Sequence, residues 1–148
     1  MDDPFLVPLT FRDVPRTLRN VSPDEAFRRR VIYTAAHRRI VKGYSDVTFR
    51  PDAPVTRAQA LKMLLLAAQV PPATTKPVRK FADVPLSRWY APYVEQAVSM
   101  KLVSGYNDPS DSSGQAAVFR PDNTITRAES AKIIRQLMGP LNHLQSVP

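Results

Sequence analysis

Apolar side chains recur at helical spacing in four stretches of this 148-residue chain, at residues 22–39, 56–69, 87–101 and 126–138. Positions three or four residues apart lie on one face of a helix, so each stretch predicts an amphipathic helix. The side chains predicted to face inward are Phe27, Val31, Ile32, Ala35 and Ala36 in the first stretch, Leu61, Leu64, Leu65 and Ala68 in the second, Trp89, Val94, Ala97 and Val98 in the third, and Ala131, Ile134, Leu137 and Met138 in the fourth. The pattern predicts a mostly α fold, with at most very short strands near residues 44–49 and 118–119.

Signals for helix ends support these four stretches. Three of the helices are preceded by a Ser or Thr that is followed three residues later by Glu or Gln, which is the spacing of a capping box. The pairs are Ser22 with Glu25, Thr56 with Gln59, and Thr126 with Glu129. We expect Gly43 and Gly105 to end the first and third helices in a left-handed conformation, and Gly139–Pro140 to stop the fourth.

The chain contains an internal repeat, which decides how the helices are grouped. Residues 119–129 (FRPDNTITRAE) repeat residues 49–59 (FRPDAPVTRAQ), 70 positions earlier. Likewise, residues 11–15 (FRDVP) recur at 81–85 (FADVP), and residues 40–44 (IVKGY) recur at 102–106 (LVSGY). The copies differ only in their spacers, because the first has eight more residues before Phe27, which aligns with Trp89, and the second has eight more between Tyr106 and Phe119.

The repeat predicts a division of the chain into five parts. A lead-in at 1–10 precedes a first copy at 11–70, a proline-rich linker at 71–80, a second copy at 81–138 and a tail at 139–148. Each copy is a helix–loop–helix unit, and we expect the two units to share one core. The spacer at 107–117 is rich in Asp, Ser and Gly and is predicted to be an exposed loop.

The net charge of +8 lies almost wholly in the first copy. Residues 11–70 carry twelve Lys or Arg and five Asp or Glu, a net charge of +7, whereas residues 81–138 carry six of each. The basic side chains cluster at residues 28–30 and 38–39. This clustering indicates either a surface for an anionic partner or a solvated helix face, and the sequence leaves both open.

The sequence argues against an enzyme, a cofactor and a metal site. The absence of cysteine excludes disulfides, thiolate metal ligands and cysteine nucleophiles. The two histidines, His37 and His143, belong to no catalytic triad, phosphate loop or metal motif. Asp108 and Asp111 lie in the polar spacer, but their spacing does not match a calcium-binding EF-hand loop.

Membrane and nucleic-acid partners are also not predicted. The longest apolar run, residues 63–68, is far shorter than the roughly 18 residues that span a bilayer. The start of the chain is acidic and contains two prolines, so no secretion signal is visible, and we expect any such signal to lie outside this fragment. The basic first copy carries no DNA- or RNA-binding signature.

Arg57 and Arg127 are the candidate anion-binding residues. Each is predicted at the first position of a helix, where the helix dipole makes a cation mildly unfavourable, yet both copies place one there. Backbone donors and a guanidinium fork at one helix terminus together suit a carboxylate or phosphate. The alternative is that each arginine is solvated or paired within the molecule.

Three aromatic residues, together with Gly43 and Gly105, are candidates for contact with a sugar. Tyr44 and Tyr106 directly follow Gly43 and Gly105, and they are either half-buried core residues or groove residues that stack on a sugar and offer a hydroxyl. Trp89 has the same two interpretations, and its place on the predicted apolar face favours the core.

Taken in order, the Phe-x-Asp-Val-Pro, Trp-Tyr-Ala-Pro-Tyr-Val, Gly-Tyr, Phe-Arg-Pro-Asp and Thr-Arg-Ala-Glu motifs resemble the S-layer homology domain, in two tandem copies. The second copy is the better match, since the first has Phe27 in place of the tryptophan and Gln59 in place of the glutamate. The resemblance implies a helix-rich, spindle-like bundle that tethers an extracellular protein non-covalently to the bacterial envelope. It further implies an anionic ligand, a secondary cell-wall polymer or a peptidoglycan-linked glycan, held by Arg57 and Arg127.

The family commonly has three copies, and this chain has two. The resemblance therefore implies that a third copy lies outside this fragment, comes from a second chain, or is absent. The competing hypothesis for function is a structural or protein–protein module within a surface assembly.

Overall fold

The computed structural model describes residues 10–74, 80–107 and 117–141. These residues form four helices, α1 (Pro23–His37), α2 (Arg57–Ala67), α3 (Ala91–Ser99) and α4 (Arg127–Leu141), and two short strands, β1 (Tyr106–Asn107) and β2 (Ala117–Val118). The strands are antiparallel, with Tyr106 opposite Val118. This architecture confirms the mostly α prediction. Strand β2 overlaps the second predicted position and β1 was not predicted, whereas residues 44–49 form a turn and no strand.

Several sequence predictions fall on residues that the structure does not describe. They are the lead-in up to residue 9, residues 75–79 of the linker, residues 108–116 of the spacer with Asp108 and Asp111, and the tail beyond residue 141 with His143.

The predicted N-caps are present at α1, α2 and α4. The Ser22 hydroxyl accepts a hydrogen bond from the Glu25 amide at 3.2 Å. Complete capping boxes, in which each member accepts from the backbone of the other, open α2 and α4. The two boxes are Thr56 with Gln59, and Thr126 with Glu129. A cap of this kind contributes about 1 kcal/mol, and it fixes which residue begins each helix.

Two of the helix boundaries differ from the prediction. Helix α3 begins at Ala91 and not at residue 87 or 88, since Pro92 lacks an N–H and fits only in the first turn of a helix. Helix α4 runs through Gly139 and Pro140 to Leu141. Only Leu141 follows Pro140 in α4, so the hydrogen bond that a proline cannot donate is lost in the last turn of the helix and not in its middle.

The helix-ending residues are not the predicted glycines. Arg39 and Lys101 take the left-handed conformation just after α1 and α3, with φ of 58° and 59°. Gly43 and Gly105 lie four residues further on, each with φ of 75°. A Cβ at Gly43 would clash with the Phe11 ring, and one at Gly105 would clash with the corresponding Phe81. The glycines therefore admit an aromatic ring against the backbone, in addition to providing the positive φ.

The structure divides into two compact units, unit 1 (Met1–Ala53) and unit 2 (Pro54–Pro148). Each has its own cluster of buried apolar side chains, so the predicted single shared core is wrong. The cluster of unit 1 comprises Phe11, Val14, Ile32 and Ala36. Unit 2 has the larger cluster, in which α2 packs against α3 and α4. Helix α2 therefore packs with the second copy although its sequence belongs to the first, and the copy boundaries drawn from the repeat stay predictions.

The predicted inward faces are confirmed at the centre of each helix and wrong at several flanking positions. The predicted side chains that are buried are Ile32, Ala36, Leu61, Leu65, Val94, Ala97 and Leu137. Those found exposed are Phe27, Val31, Trp89, Ala131, Ile134 and Met138. In α4, Ile133 and Leu137, four residues apart, face the core and Ile134 does not, because the face that packs against the rest of unit 2 is centred on Ile133 and Leu137.

Candidate functional site

Arg57 opens α2 and is buried, with 6% of its surface exposed. Its Nε donates to the Phe119 carbonyl at 2.9 Å, and its Nη1 donates to Oε1 of Glu129 at 2.8 Å. The guanidinium also lies over the rings of Tyr106 and Phe119, 5.0 and 4.8 Å from their centroids. Of the alternatives that the sequence left open, the structure therefore shows the arginine that is paired within the molecule.

Tyr106 is half-buried at the centre of this charged cluster. Its hydroxyl donates a hydrogen bond to Oε1 of Glu129, the same oxygen that Arg57 contacts. On another side, the Arg120 guanidinium lies 4.6 Å from the centroid of its ring. The structure thus brings together two predicted site residues, Arg57 and Tyr106, with two that the prediction omitted, Glu129 and Arg120.

The cluster perturbs two pKa values. Burial alone raises the pKa of Glu129, but hydrogen bonds from Tyr106 and Thr126 and the charge of Arg57 outweigh it, and the pKa falls from 4.5 to about 2. Burial and the hydrogen bond to Glu129 raise the pKa of the Tyr106 phenol above its usual value of 10.0. At neutral pH the cluster therefore holds an ionised carboxylate beside a protonated phenol.

An aspartate holds the Phe-Arg-Pro-Asp turn in each unit. In unit 2, Asp83 accepts hydrogen bonds from the amides of Phe119 and Arg120, both at 2.7 Å. In unit 1, Asp13 accepts from the amides of Phe49 and Arg50 at 2.8 and 2.6 Å. Burial opposes ionisation of Asp13, yet these two amide bonds lower its pKa. Both aspartates belong to the Phe-x-Asp-Val-Pro motif, and their bonds to the turn were not predicted from the sequence.

Arg50 and Arg120, the arginines of this turn, have an unusual backbone conformation. Their backbones have φ of 58° and 60°, a conformation that side-chain-bearing residues seldom adopt. The two amide bonds to one carboxylate stabilise this conformation, which aims each guanidinium at the tyrosine of the Gly-Tyr motif. The signal in the sequence was the presence of the aspartate at the same place in both copies.

Tyr44 and Gly43 lie in unit 1. Tyr44 is 36% exposed, and the Arg50 guanidinium lies 4.1 Å from the centroid of its ring. Arg50 also pairs with Asp46 at 2.8 Å. Hydrogen bonds from Thr48 and Arg50 lower the pKa of Asp46 to about 2. Unit 1 therefore repeats the tyrosine–arginine stack on a more exposed surface.

Trp89 is 52% exposed, so the interpretation of this side chain as core is wrong. Its ring meets that of Tyr90 edge-on, with centroids 5.3 Å apart. The ammonium of Lys62, from α2, lies 5.5 Å from the Trp89 centroid and 5.8 Å from that of Tyr93. An aromatic face and a cation are thus side by side on the surface of unit 2.

Arg127 opens α4 and is exposed. Within the part of the chain that the structure describes, its side chain has no hydrogen bond or ion pair. The same position of the repeated motif is thus buried and paired at Arg57 but solvent-facing at Arg127.

Two general findings bear on the chemistry of the described residues. Among residues 10–74, 80–107 and 117–141, no group of three or more His, Cys, Asp or Glu is arranged to hold a metal ion. Over the same ranges, no helix combines the length and apolar character needed to cross a membrane.

Comparison with known proteins gives a family match over most of this architecture. The sequence profile described as the S-layer homology domain matches residues 21–61 and 80–131, together more than half of the chain. The two matched segments contain all of α1 and α3 and the N-termini of α2 and α4.

Three curated relatives illustrate the range of proteins that contain a similar segment. Cell surface glycoprotein 1 of Acetivibrio thermocellus is 33% identical over 102 residues, covering 66% of this chain and 4% of that protein. The cellulosome-anchoring protein of the same organism is 30% identical over 114 residues, covering 76% of this chain and 24% of that protein. An amylopullulanase of Thermoanaerobacterium thermosulfurigenes is 33% identical over 103 residues, covering 70% of this chain and 5% of that protein. The matches thus span a quarter or less of each relative.

Proposed function

Since this chain belongs to the S-layer homology domain family, we propose that it tethers a surface protein non-covalently to the bacterial cell envelope. The names of two relatives, a cell surface glycoprotein and a cellulosome-anchoring protein, support this role. The proposal places the chain outside the cell, at the wall. We take it as a binding module, and the name of the amylopullulanase carries no enzymatic activity over to it, because that match spans only 5% of the relative's length.

The ligand that we propose is an anionic polysaccharide of the wall, and Arg127 is the observation that carries it. This arginine is exposed beside the N-terminus of a capped helix, where the positive end of the dipole disfavours a cation unless an anion lies close by. Backbone donors and a guanidinium fork converge there, which suits the carboxylate of an acidic sugar. The described residues supply no internal partner that would explain the charge.

Aromatic side chains offer further contacts to the polysaccharide, separately in each unit. Trp89 and Tyr44 expose ring faces that can pack against the apolar face of a sugar, and each has a cation within 6 Å of the ring centroid, Lys62 and Arg50 respectively. A ring beside a cation suits a sugar that carries an acidic substituent. An aromatic ring left in water gives up the favourable free energy of burying its large apolar surface, so contact with a sugar would recover part of it.

Arg57, Tyr106 and Gly105 have a supporting place in the proposal. Two nitrogens of the Arg57 guanidinium are occupied by Phe119 and Glu129, so we expect it to position the Tyr106 ring more than to bind ligand directly. Gly43 and Gly105 act through the close approach of a phenylalanine ring, which sets the backbone before each tyrosine.

The test is co-sedimentation of the chain with purified cell-wall sacculi, before and after removal of their attached polymers. We expect the parent to sediment with intact sacculi and to stay in solution with stripped sacculi. Arg127→Ala should weaken sedimentation with intact sacculi without lowering the melting temperature. Failure to sediment with either preparation would instead favour the alternative, a protein–protein module of a surface assembly.

A further inference from the structure

Unit 1 carries an open cavity of about 440 Å³ whose walls are partly apolar. The residues that line it are Phe27, Arg28, Val31, Ile32, Phe49, Pro51 and Asp52. Phe27 is 69% exposed and Val31 is 48% exposed, and both project from the same side of α1. Large apolar side chains exposed together around a cavity mark an interaction surface more often than scattered ones do. At the rim, Arg28 forms an ion pair with Asp52, in which Nη2 of the arginine lies 2.9 Å from both carboxylate oxygens.

The internal repeat identifies the counterpart of this cavity in unit 2. Helices α1 and α3 end 62 positions apart, at His37 and Ser99, and a left-handed residue follows each at the same distance. The backbone therefore confirms the alignment that pairs Phe27 with Trp89 and Val31 with Tyr93. The alignment at 70 positions pairs Phe49 with Phe119 and Pro51 with Pro121.

In unit 2, the counterpart residues Trp89, Tyr93, Phe119 and Pro121 form the surface against which α2 packs, and we call such a surface a seat. The Lys62 ammonium lies over the rings of Trp89 and Tyr93. At the N-terminus of α2, the Arg57 Nε donates to the Phe119 carbonyl at 2.9 Å. One residue later, the amide of Ala58 donates to the Pro121 carbonyl at 3.0 Å. The cavity of unit 1 is therefore the same kind of seat, formed by Phe27, Val31, Phe49 and Pro51.

The chain also contains a helix of the matching kind whose corresponding face is exposed. Residues Arg127, Ala128 and Ala131 of α4 occupy the repeat positions of Arg57, Ala58 and Leu61, all three of which are buried in α2. In α4, all three are exposed. Ile134 and Met138, which follow on α4, are 41% and 52% exposed. Unit 1 thus presents an open seat, and unit 2 presents a helix with the motif that fills such a seat.

We propose that the unit 1 seat receives helix α4 of a second copy of this chain, so that copies associate head to tail. The N-terminus of α4 would meet the carbonyls of Phe49 and Pro51 as that of α2 meets those of Phe119 and Pro121. The two contacting surfaces differ, so the interface is heterologous, and each added copy leaves one seat and one α4 free. This association goes beyond wall binding, and it makes the oligomeric state depend on protein concentration. A docked α4 covers Arg127, so in an assembly the anion site of the proposed function belongs to the α4 that is left free.

Two single substitutions separate the two sides of the interface. Phe27→Glu places a charge in the seat, and Ala131→Glu places one on the exposed face of α4. Both positions are exposed, so we expect each variant to fold and to melt like the parent. Leu18→Glu is the matched control, since Leu18 is also an exposed apolar residue of unit 1 but does not line the cavity.

The measurement is mass by light scattering or sedimentation velocity over a range of concentrations. The parent and Leu18→Glu should exceed the monomer mass of 16.6 kDa as concentration rises, whereas Phe27→Glu and Ala131→Glu should each remain monomeric. Mixing the two monomeric variants should restore a complex of one copy of each, because one retains α4 and the other retains the seat. A monomeric parent at all concentrations, or a mixture that stays monomeric, would overturn the proposal.

Discussion

Unit 1 and unit 2 contain the same turn, but the surface beside the turn is covered in unit 2 and open in unit 1. In each, one aspartate binds the two amides of the Phe-Arg pair, and the arginine of the turn stacks on the tyrosine of the Gly-Tyr motif. In unit 2, Arg57 and Glu129 complete a charged cluster around that tyrosine, and α2 covers the surface beside it. In unit 1, the corresponding surface is an open cavity.

The difference shows what a repeated motif fixes and what it leaves to its neighbours. The motif itself fixes the turn, the cap and the positive φ, since these depend on residues close in sequence. The burial of its arginine depends on the next element that packs against it. Arg57 and Arg127 hold the same motif position, yet one is a buried, paired cation and the other faces solvent.

The largest expected effect comes from removing the buried member of this pair. Arg57→Ala should lower the free energy of unfolding by about 3 kcal/mol, because it leaves the partly buried Glu129 carboxylate without its cation. Arg127→Ala, the matched control, should change it by less than about 0.5 kcal/mol, since the position is exposed and alanine favours a helix. Urea denaturation of both variants measures the contrast, and equal effects would contradict the assigned environments.

A second variant disrupts the packing of the Phe81 ring against the backbone of Gly105 in the Gly-Tyr motif. Gly105→Ala should cost about 2–3 kcal/mol, since alanine both resists a φ of 75° and clashes with the Phe81 ring. Gly139→Ala is the control, because Gly139 lies within α4 with only an arginine side chain nearby. There, alanine should be neutral or stabilise by up to about 1 kcal/mol. Thermal melts that shifted in the same direction for both variants would contradict the positional argument.

The exposed arginine should dominate ligand binding as the buried one dominates stability. We expect Arg127→Ala to weaken binding to wall polymer by roughly one to two orders of magnitude, the loss of a charge-assisted contact of about 1.5–3 kcal/mol. Arg127→Lys keeps the charge without the planar fork, so a partial loss would indicate bidentate recognition.

Thr126→Ala is the reciprocal control for this prediction. It removes the helix cap and should cost about 1 kcal/mol of stability, with a smaller direct effect on binding. Sedimentation with sacculi and thermal melts on all three variants separate the two roles. Wall binding by Arg127→Ala that equals the parent's would reject the anion site at this position.

The sequence alone predicted the features that depend on residues close together in the chain. The capping boxes at Thr56 and Thr126, the mostly α class and the repeat itself all follow from residues a few positions apart. The sequence also indicated that Arg127 and Arg57 share a position. It could not show that Glu129 would pair with Arg57, because the two residues are 72 positions apart and meet only through packing of α2 against α4.

The errors in predicted burial have a similar cause. Trp89 and Phe27 fit an apolar helical face, but a periodic pattern does not state which helix covers that face. In α4, the adjacent isoleucines 133 and 134 left open which one faces inward, and the packing of α4 in unit 2 buries Ile133. The interpretation of Gly43 and Gly105 as helix ends missed the aromatic rings that lie against them.

The Glu129 cluster should give unit 2 a dependence on acid pH. The folded pKa of Glu129, about 2, lies below its ordinary value of 4.5, so the ionised carboxylate stabilises the fold. This contribution is complete above about pH 4.5 and is lost as the pH falls towards 2. After allowance for partial exposure it is of order 1–2 kcal/mol. Glu129→Gln should therefore lose less stability than the parent between pH 5 and pH 2 in thermal melts, and an unchanged slope would contradict the assignment.

The smallest expected effect concerns the basic surface of unit 1, whose role the sequence left open. Arg28 and Arg29 are engaged with Asp52 and Glu25 at 2.9 and 2.7 Å, so they are poor probes of a free surface. Arg30 and Arg38 are exposed. Changing both to glutamate should weaken association with an acidic polymer several-fold at low salt, with a smaller effect at high salt, because exposed charges are screened.

A matched variant decides whether the position or only the total charge of these arginines matters. Arg88 and Arg135 are exposed arginines of unit 2, and changing both to glutamate gives the same net charge as changing Arg30 and Arg38. If the basic surface of unit 1 binds the acidic polymer, only the Arg30/Arg38 variant should bind the polymer more weakly at low salt. Equal losses would mean that long-range charge alone steers the encounter. Unchanged binding by both variants would assign the arginines of α1 to a solvated face. Titration at two salt concentrations distinguishes these three results.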